Sequence, residues 1–234
     1  MSIEVISFDA AHTLVDVHWQ PGAFAVSEAL RFGLDIDPQV GEEKYLRLLQ
    51  TRWRGYQELN LQRDEAAGDA FWDELTQDWL GAMRVEGDGQ ALSQSARERM
   101  FGPDSPCFRV YEDVVPTLES LASAGFRLIV LSNWDYTLRR TLTSLGLTEH
   151  FEFIFASLEE GPEKPEVALF RIVEQAMCVE GESIVHVGDN FIDDLQGARD
   201  AGWGAVLLDR AATAPRPPAI ASLSQIPEAL RWNA

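Results

Sequence analysis

The chain has 234 residues, 46% of them hydrophobic, with 38 acidic residues against 19 basic ones and a formal net charge of −19. That much apolar sequence can build a sizeable core, as one large domain or a domain carrying an insertion, and no long stretch reads as disordered. The negative field excludes nucleic acid and anionic lipid as partners, and it leaves an anionic substrate in need of a metal ion or local positive charge.

Ile3-Glu4-Val5-Ile6-Ser7-Phe8 reads as a buried parallel strand. It delivers Asp9 to the strand's carboxyl end, where open α/β sheets place their sites. More than a hundred residues then intervene before the next clear strand, Phe126 to Asn133. The spacing of apolar residues there predicts helices over Phe24 to Phe32, Val40 to Leu59, Asp69 to Met83 and Ala91 to Met100, with no convincing strand. Such an insertion is expected to cover the carboxyl edge of the sheet as a cap. Gly102-Pro103-Asp104-Ser105-Pro106 marks the return as a hinge. The expected division is a core of residues 1–15 and 106–234 and a helical cap of residues 16–105.

Beyond the hinge, helix and strand alternate. Helices are expected over Pro116 to Ala124, Tyr136 to Leu145, Glu166 to Met177 and Phe191 to Ala201, and strands over Phe151 to Ser157, Ser183 to Asp189 and Gly204 to Leu208. Ala211 to Pro218 reads as a Pro-rich connector before a short last helix, Ile226 to Trp232. This alternation predicts an α/β fold, a doubly wound parallel sheet, interrupted by the all-helical insertion.

Cys107 and Cys178 lie far apart without metal-ligand spacing and are expected to be reduced and structural. The chain enters its first strand without a basic or hydrophobic leader and holds no run of transmembrane length, so a cytoplasmic protein is expected. Of the basic residues only Lys44 and Lys164 are lysines. A lysine kept in a Pro-rich turn of an arginine-using chain suggests a need for a compact ammonium.

Four short stretches at strand ends carry the chemistry: Phe-Asp-x-x-x-Thr-Leu at 8–14, Leu-Ser-Asn at 131–133, Lys-Pro-Glu-x-x-x-Phe at 164–170 and Gly-Asp-Asn-x-x-x-Asp at 188–194. In this order and spacing they resemble the haloacid dehalogenase-like hydrolase superfamily, in the branch whose helical cap follows the first motif. The stretch His186 to Arg199 is especially similar to the group named haloacid dehalogenase-like hydrolase domain-containing three.

The resemblance implies a magnesium-dependent phosphatase acting on a small phosphorylated metabolite, with Asp9 attacking phosphorus to form an aspartyl-phosphate. It implies that Asp9, Asp189 and the backbone carbonyl of Ala11 hold Mg2+, and that Asp194 belongs to the same metal site, orienting a metal water or Lys164. Lys164 would ease repulsion between Asp9 and the phosphoryl group. Ser132, the amide of Asn133, Thr13 and His12 would lie around the phosphate. For each there is a plainer reading from residue type alone: a turn aspartate for Asp9, a helix-starting acid for Asp194, a solvated loop lysine for Lys164.

One position departs from the pattern. Family phosphatases carry an aspartate at position 11 to protonate the leaving oxygen, and this chain has Ala11. A positioned acid–base group contributes about 10²–10⁴-fold. His12, a cap residue, or a leaving group that needs no proton are the open substitutes. A catalytically weak binding protein is the alternative from another class. A phosphonatase lacks support beyond Lys44, and a 2-haloacid dehalogenase disagrees with the retained Asp189. Trp53 between Arg52 and Arg54, with Tyr56, is the most suggestive aromatic cluster, and Phe71-Trp72 and Trp79 are others; all read as packing first and substrate recognition second. Trp19 and Trp134 flank motif residues and are candidates for the entrance. Whether the protein is a monomer or a homodimer is not written in the sequence.

Overall fold

The computed structural model describes residues 3–232; residues 1, 2, 233 and 234, which the expected core boundary takes in, lie outside them. The chain separates into two units: the first 17 residues with those from 109 onward, and residues 18–108.

In the first unit, β1 (Val5–Phe8), β4 (Arg127–Ser132), β5 (Phe153–Ala156), β6 (Ile184–Gly188), β7 (Gly204–Leu208) and β8 (Ala219–Ile220) form one sheet in the order β5-β4-β1-β6-β7-β8. All five pairings are parallel. The central strand β1 is buried along its whole length, as expected of a strand covered on both faces. The helices α5 (Val114–Ser123), α6 (Thr137–Ser144) and α8 (Val167–Met177) connect strands. On one side Leu169, Phe170 and Val173 of α8 pack with Val5, Ile129 and Ile184 of the sheet. The α/β parallel sheet expected from the alternating pattern is present.

The second unit is helical: α1 (Pro21–Arg31), α2 (Pro38–Asn60), α3 (Glu65–Met83) and α4 (Gly89–Met100). Its helix starts follow from local chemistry. Asp37, Asp64 and Asp88 each accept backbone N–H bonds from the first turn of the next helix, and Pro38 suits a first helical position. Trp79 is fully buried and donates its indole N–H to the Gly41 carbonyl at 2.8 Å, so this tryptophan is core. Tyr56 is also fully buried and packs against Phe71 and Trp72. Trp19 sits edge-on to Trp72 with ring centroids 6.3 Å apart.

Three strands escaped the sequence pattern. Before and after the helical insertion, β2 (Val15–Val17) and β3 (Phe108–Val110) pair with each other, correcting the expectation of no strand between Asp9 and Phe126. β8 lies just past the Pro-rich connector. At two or three residues each they are too short for a period-2 pattern to register. The expected helix from Phe191 begins as a π-helix, Phe191–Gln196, before four α-helical residues, Gly197–Asp200, here α9. A short helix α7 (Ser157–Glu160) follows β5, and the last helix is α10 (Ile226–Ala229) continued by a 3-10 turn. Both cysteines are free thiols; Cys107 is buried and Cys178 is exposed.

Candidate active site

Neighbouring parallel strands bring their carboxyl ends to one edge of the sheet, and four motif segments meet there. Asp9 follows β1, Ser132 ends β4, and Asp189 follows Gly188 at the end of β6. The Asp9 N–H donates to Val187 O at 2.9 Å, tying the aspartate to the neighbouring strand.

Asp9 is buried, and both donors to its carboxylate fall on one oxygen: Ser132 Oγ at 2.9 Å and Lys164 Nζ at 2.8 Å reach Oδ1. Oδ2 has no donor among the described residues. Lys164 Nζ also donates to Asp194 Oδ1 at 2.5 Å. The lysine's placement depends on Asn133, whose side chain accepts the Lys164 N–H at 2.8 Å and donates to the Lys164 carbonyl at 2.9 Å. The sequence reading assigned Asn133 only through its backbone amide; the side-chain clamp was missed.

Asp194 is the hub. Its Oδ1 accepts from Lys164 and from His186 Nε2 at 3.0 Å, and its Oδ2 accepts the Asn190 N–H at 2.9 Å. The carboxylate lies so close to the Cα of Gly188 that a Cβ there would collide with Asp194. Glycine at 188 is therefore required by space. The π-helix is opened by Asn190, whose side chain accepts from the N–H groups of Ile192 and Asp193. This wide turn places Asp194 back over the strand end.

Carboxylate oxygens of Asp9, Asp189 and Asp194 all lie within 4.8 Å of one another. Three hard oxygen donors at that spacing suit a small divalent cation that keeps several waters. The electrostatics agree with a site short of positive charge. Burial and the Asp194 charge raise the Asp9 pKa against the opposing pull of Lys164. Partial desolvation and the charges of Asp9 and Asp194 push Asp189 up to about 6. Burial also opposes ionisation of Asp194, but Lys164 and His186 outweigh it and hold its carboxyl well below the usual range. Burial disfavours the Lys164 ammonium as well, yet the Asp9 and Asp194 carboxylates outweigh it and raise its pKa.

The loop after Asp9 is tight. The N–H groups of Leu14 and Val15 both donate to Ala10 O, and His12 N–H donates to Val15 O at 2.7 Å. His12 has φ 55°, in the left-handed region, which a side chain occupies at a cost and glycine does not. Its side chain is exposed. Thr13 is fully buried, its hydroxyl has no hydrogen-bond partner among the described residues, and its carbonyl accepts from Arg210 Nη2 at 2.7 Å. Arg210 in turn stacks over the Tyr111 ring at 3.8 Å and bonds Asp113. Neither Arg210 nor Asp113 was singled out from the sequence, and no short motif marks them. Trp134 donates its indole N–H to Thr137 Oγ1 at 3.0 Å.

A family model described as haloacid dehalogenase-like hydrolase matches residues 3–202. The chain belongs to the haloacid dehalogenase-like hydrolase family. Within the curated members, the mouse haloacid dehalogenase-like hydrolase domain-containing protein 3 is 28% identical over 211 residues, 89% of this chain and 82% of the mouse protein, in line with the resemblance read from the motifs. Phosphoserine phosphatase of Thermus thermophilus is 33% identical over 141 residues, 56% of this chain and 57% of that enzyme. Among solved structures, the 2-haloacid dehalogenase of Pseudomonas syringae pv. Tomato superposes with a TM-score of 0.69 at 28% identity, covering 98% of this chain and 99% of that one. The chain is thus a hydrolase-family member with phosphatase relatives. No helix among the described residues is long and apolar enough to cross a membrane.

Proposed function

We propose that this hydrolase-family member is a magnesium-dependent phosphatase of small phosphorylated metabolites that works through an aspartyl-phosphate at Asp9. The observation that carries the reading is the convergence of Asp9, Asp189 and Asp194 within 4.8 Å beside the Lys164 ammonium. Asp9, Asp189 and the Ala11 carbonyl would hold the ion, which when bound supplies charge against the phosphate oxygens.

Asp9 Oδ2 is the oxygen left open for attack. It bonds to phosphorus while the bond from phosphorus to the leaving oxygen breaks, its electron pair departing with that oxygen. Ser132 Oγ and Lys164 Nζ hold Oδ1, so the nucleophile presents one oxygen in one orientation. Water then attacks the phosphorus of the acyl phosphate, and Asp9 leaves as a carboxylate. Ala11 can neither protonate the leaving oxygen nor activate that water. Turnover of unactivated alkyl phosphates is therefore slow, and activated aryl phosphates react faster. The helical unit is read as the cap that selects the substrate.

The test is a metabolite-phosphate screen with magnesium on wild type and Asp9→Asn together. Magnesium-dependent release of phosphate that vanishes in Asp9→Asn supports the reading; silence across the panel favours a binding protein. The full-length likeness to a 2-haloacid dehalogenase supports a second reading. Halide release from 2-haloacids without metal, with no phosphate release, would establish that one instead.

A further inference from the structure

Five buried polar side chains close a ring behind the Asp9 carboxylate. Ser7 and Asp9 are two residues apart on β1 and its extension, so their side chains share a face. Ser7 is in register with His186 on β6, and its Oγ lies 2.9 Å from His186 Nδ1. His186 Nε2 lies 3.0 Å from Asp194 Oδ1, which also accepts from Lys164 Nζ at 2.5 Å. The same Nζ donates to Asp9 Oδ1 at 2.8 Å, returning the ring to β1. None of the five is more than 6% exposed. Polar groups so deeply buried stay only where partners satisfy them.

The proton positions follow from chemistry. An ionised carboxylate only accepts, so Nε2 carries a proton and donates to Asp194. In the neutral imidazole Nδ1 is then the acceptor for the Ser7 hydroxyl. The ring plane is set by Phe170 and Trp203, both edge-on to His186 with centroids 6.2 and 6.5 Å away. Asp194 is thereby held on one oxygen by His186 and on the other by the Asn190 N–H. Without them its carboxylate has several ways to face a flexible lysine. With them it has one.

We infer that His186 is a positioning residue: held by Ser7, it fixes Asp194 so that the Lys164 ammonium stays aimed at Asp9. The inference rests on the reading of Asp9 as phosphoryl acceptor, and two measurements separate them. The first needs no ligand and no variant. Nitrogen-15 NMR of the histidine rings in the metal-free protein is expected to show His186 protonated on Nε2 and unprotonated on Nδ1; a proton on Nδ1 overturns the inference.

The second measures binding of magnesium with beryllofluoride, a mimic of phospho-aspartate, to wild type, His186→Leu, His186→Gln, Lys164→Met and the double variant His186→Leu/Lys164→Met. Partners that orient a site's ligating groups typically matter by about 10–100-fold, and His186→Leu is expected to weaken binding by that factor. His186→Gln, which keeps a donor, should recover most of the loss. In the Lys164→Met background His186→Leu should cost little more, because its effect runs through the ammonium. Wild-type affinity in a folded His186→Leu, or losses that simply multiply in the double variant, overturns the inference. Wild type that ignores the probe, with the histidine protonated as expected, would instead remove the phosphatase reading and leave the ring standing.

Discussion

Replacing Lys164 by methionine keeps the aliphatic stem and removes only the charge. Two carboxylate groups then face each other, with oxygens of Asp9 and Asp194 within 4.8 Å. At an effective dielectric of about 20, like charges at that separation repel by about 3–4 kcal/mol, equivalent to about 2.5 pKa units. Breaking one partner out of a buried ion pair costs about 3–5 kcal/mol in general, and the two figures agree. The variant should therefore lose about 3–5 kcal/mol of stability at pH 8, measured by urea unfolding followed through the α/β unit. The sign with pH follows from proton uptake. In the variant a carboxylate's folded-state pKa rises above its unfolded value, so the folded state binds more protons and stability increases as pH falls from 8 toward 5. Saturating magnesium should narrow the gap to wild type by supplying the missing positive charge. A loss below about 1 kcal/mol, the range of exposed pairs, with no dependence on pH or magnesium, would refute the argument that Lys164 holds two buried anions together.

Ala11→Asp should raise turnover of alkyl phosphates by up to about 10²–10⁴-fold and change aryl phosphates much less; steady-state assays of both classes decide it, and an equal or absent gain argues that the missing acid does not limit the rate. Gly188→Ala drives a Cβ into the Asp194 carboxylate; overpacking of this kind costs about 1–3 kcal/mol, and calorimetry should show magnesium binding impaired. Asp113 accepts from Arg210, Ser222 and the Leu223 N–H. Burial works against its charge, but those donors outweigh it and hold its pKa below the ordinary value. A depressed folded pKa gives stability that is present above the unfolded pKa and is lost as pH falls through the acid range. Asp113→Asn should flatten that acid loss in a pH series of unfolding curves, at a cost of about 1–3 kcal/mol near neutrality.

The parts of this fold that were legible in the sequence are those with a local signal. Val5 to Phe8, Arg127 to Ser132 and Ile184 to Gly188 are long apolar runs because both sheet faces are covered. The apolar spacing marked the helices of the insertion but not their starts: Asp37, Asp64 and Asp88 cap them, and the third begins at Glu65 rather than at the expected Asp69. Asp9 and Asp189 follow strand ends, Ser132 closes β4 and Lys164 lies in the loop after α7; each sits in a motif that leaves its mark over a few residues. What was hidden depends on partners far away in sequence. His186 sits inside an apolar run and looks like a mere interruption of it. Its meaning comes from Ser7, 179 residues distant, and from Asp194. Arg210 is one arginine among many until its guanidinium is found on the Thr13 carbonyl, 197 residues away. The side chain of Asn133 likewise clamps Lys164 across 31 residues. Val15–Val17 and Phe108–Val110 exist only because each gives the other a partner, so neither segment alone has a pattern to read.

The account turns on Asp9 and Asp189 sharing one divalent ion. Isothermal titration of magnesium into wild type, Asp9→Asn and Asp189→Asn tests that most directly. A single ion bound by wild type and lost or strongly weakened in both folded variants is the predicted result. Undiminished binding in either variant would contradict it.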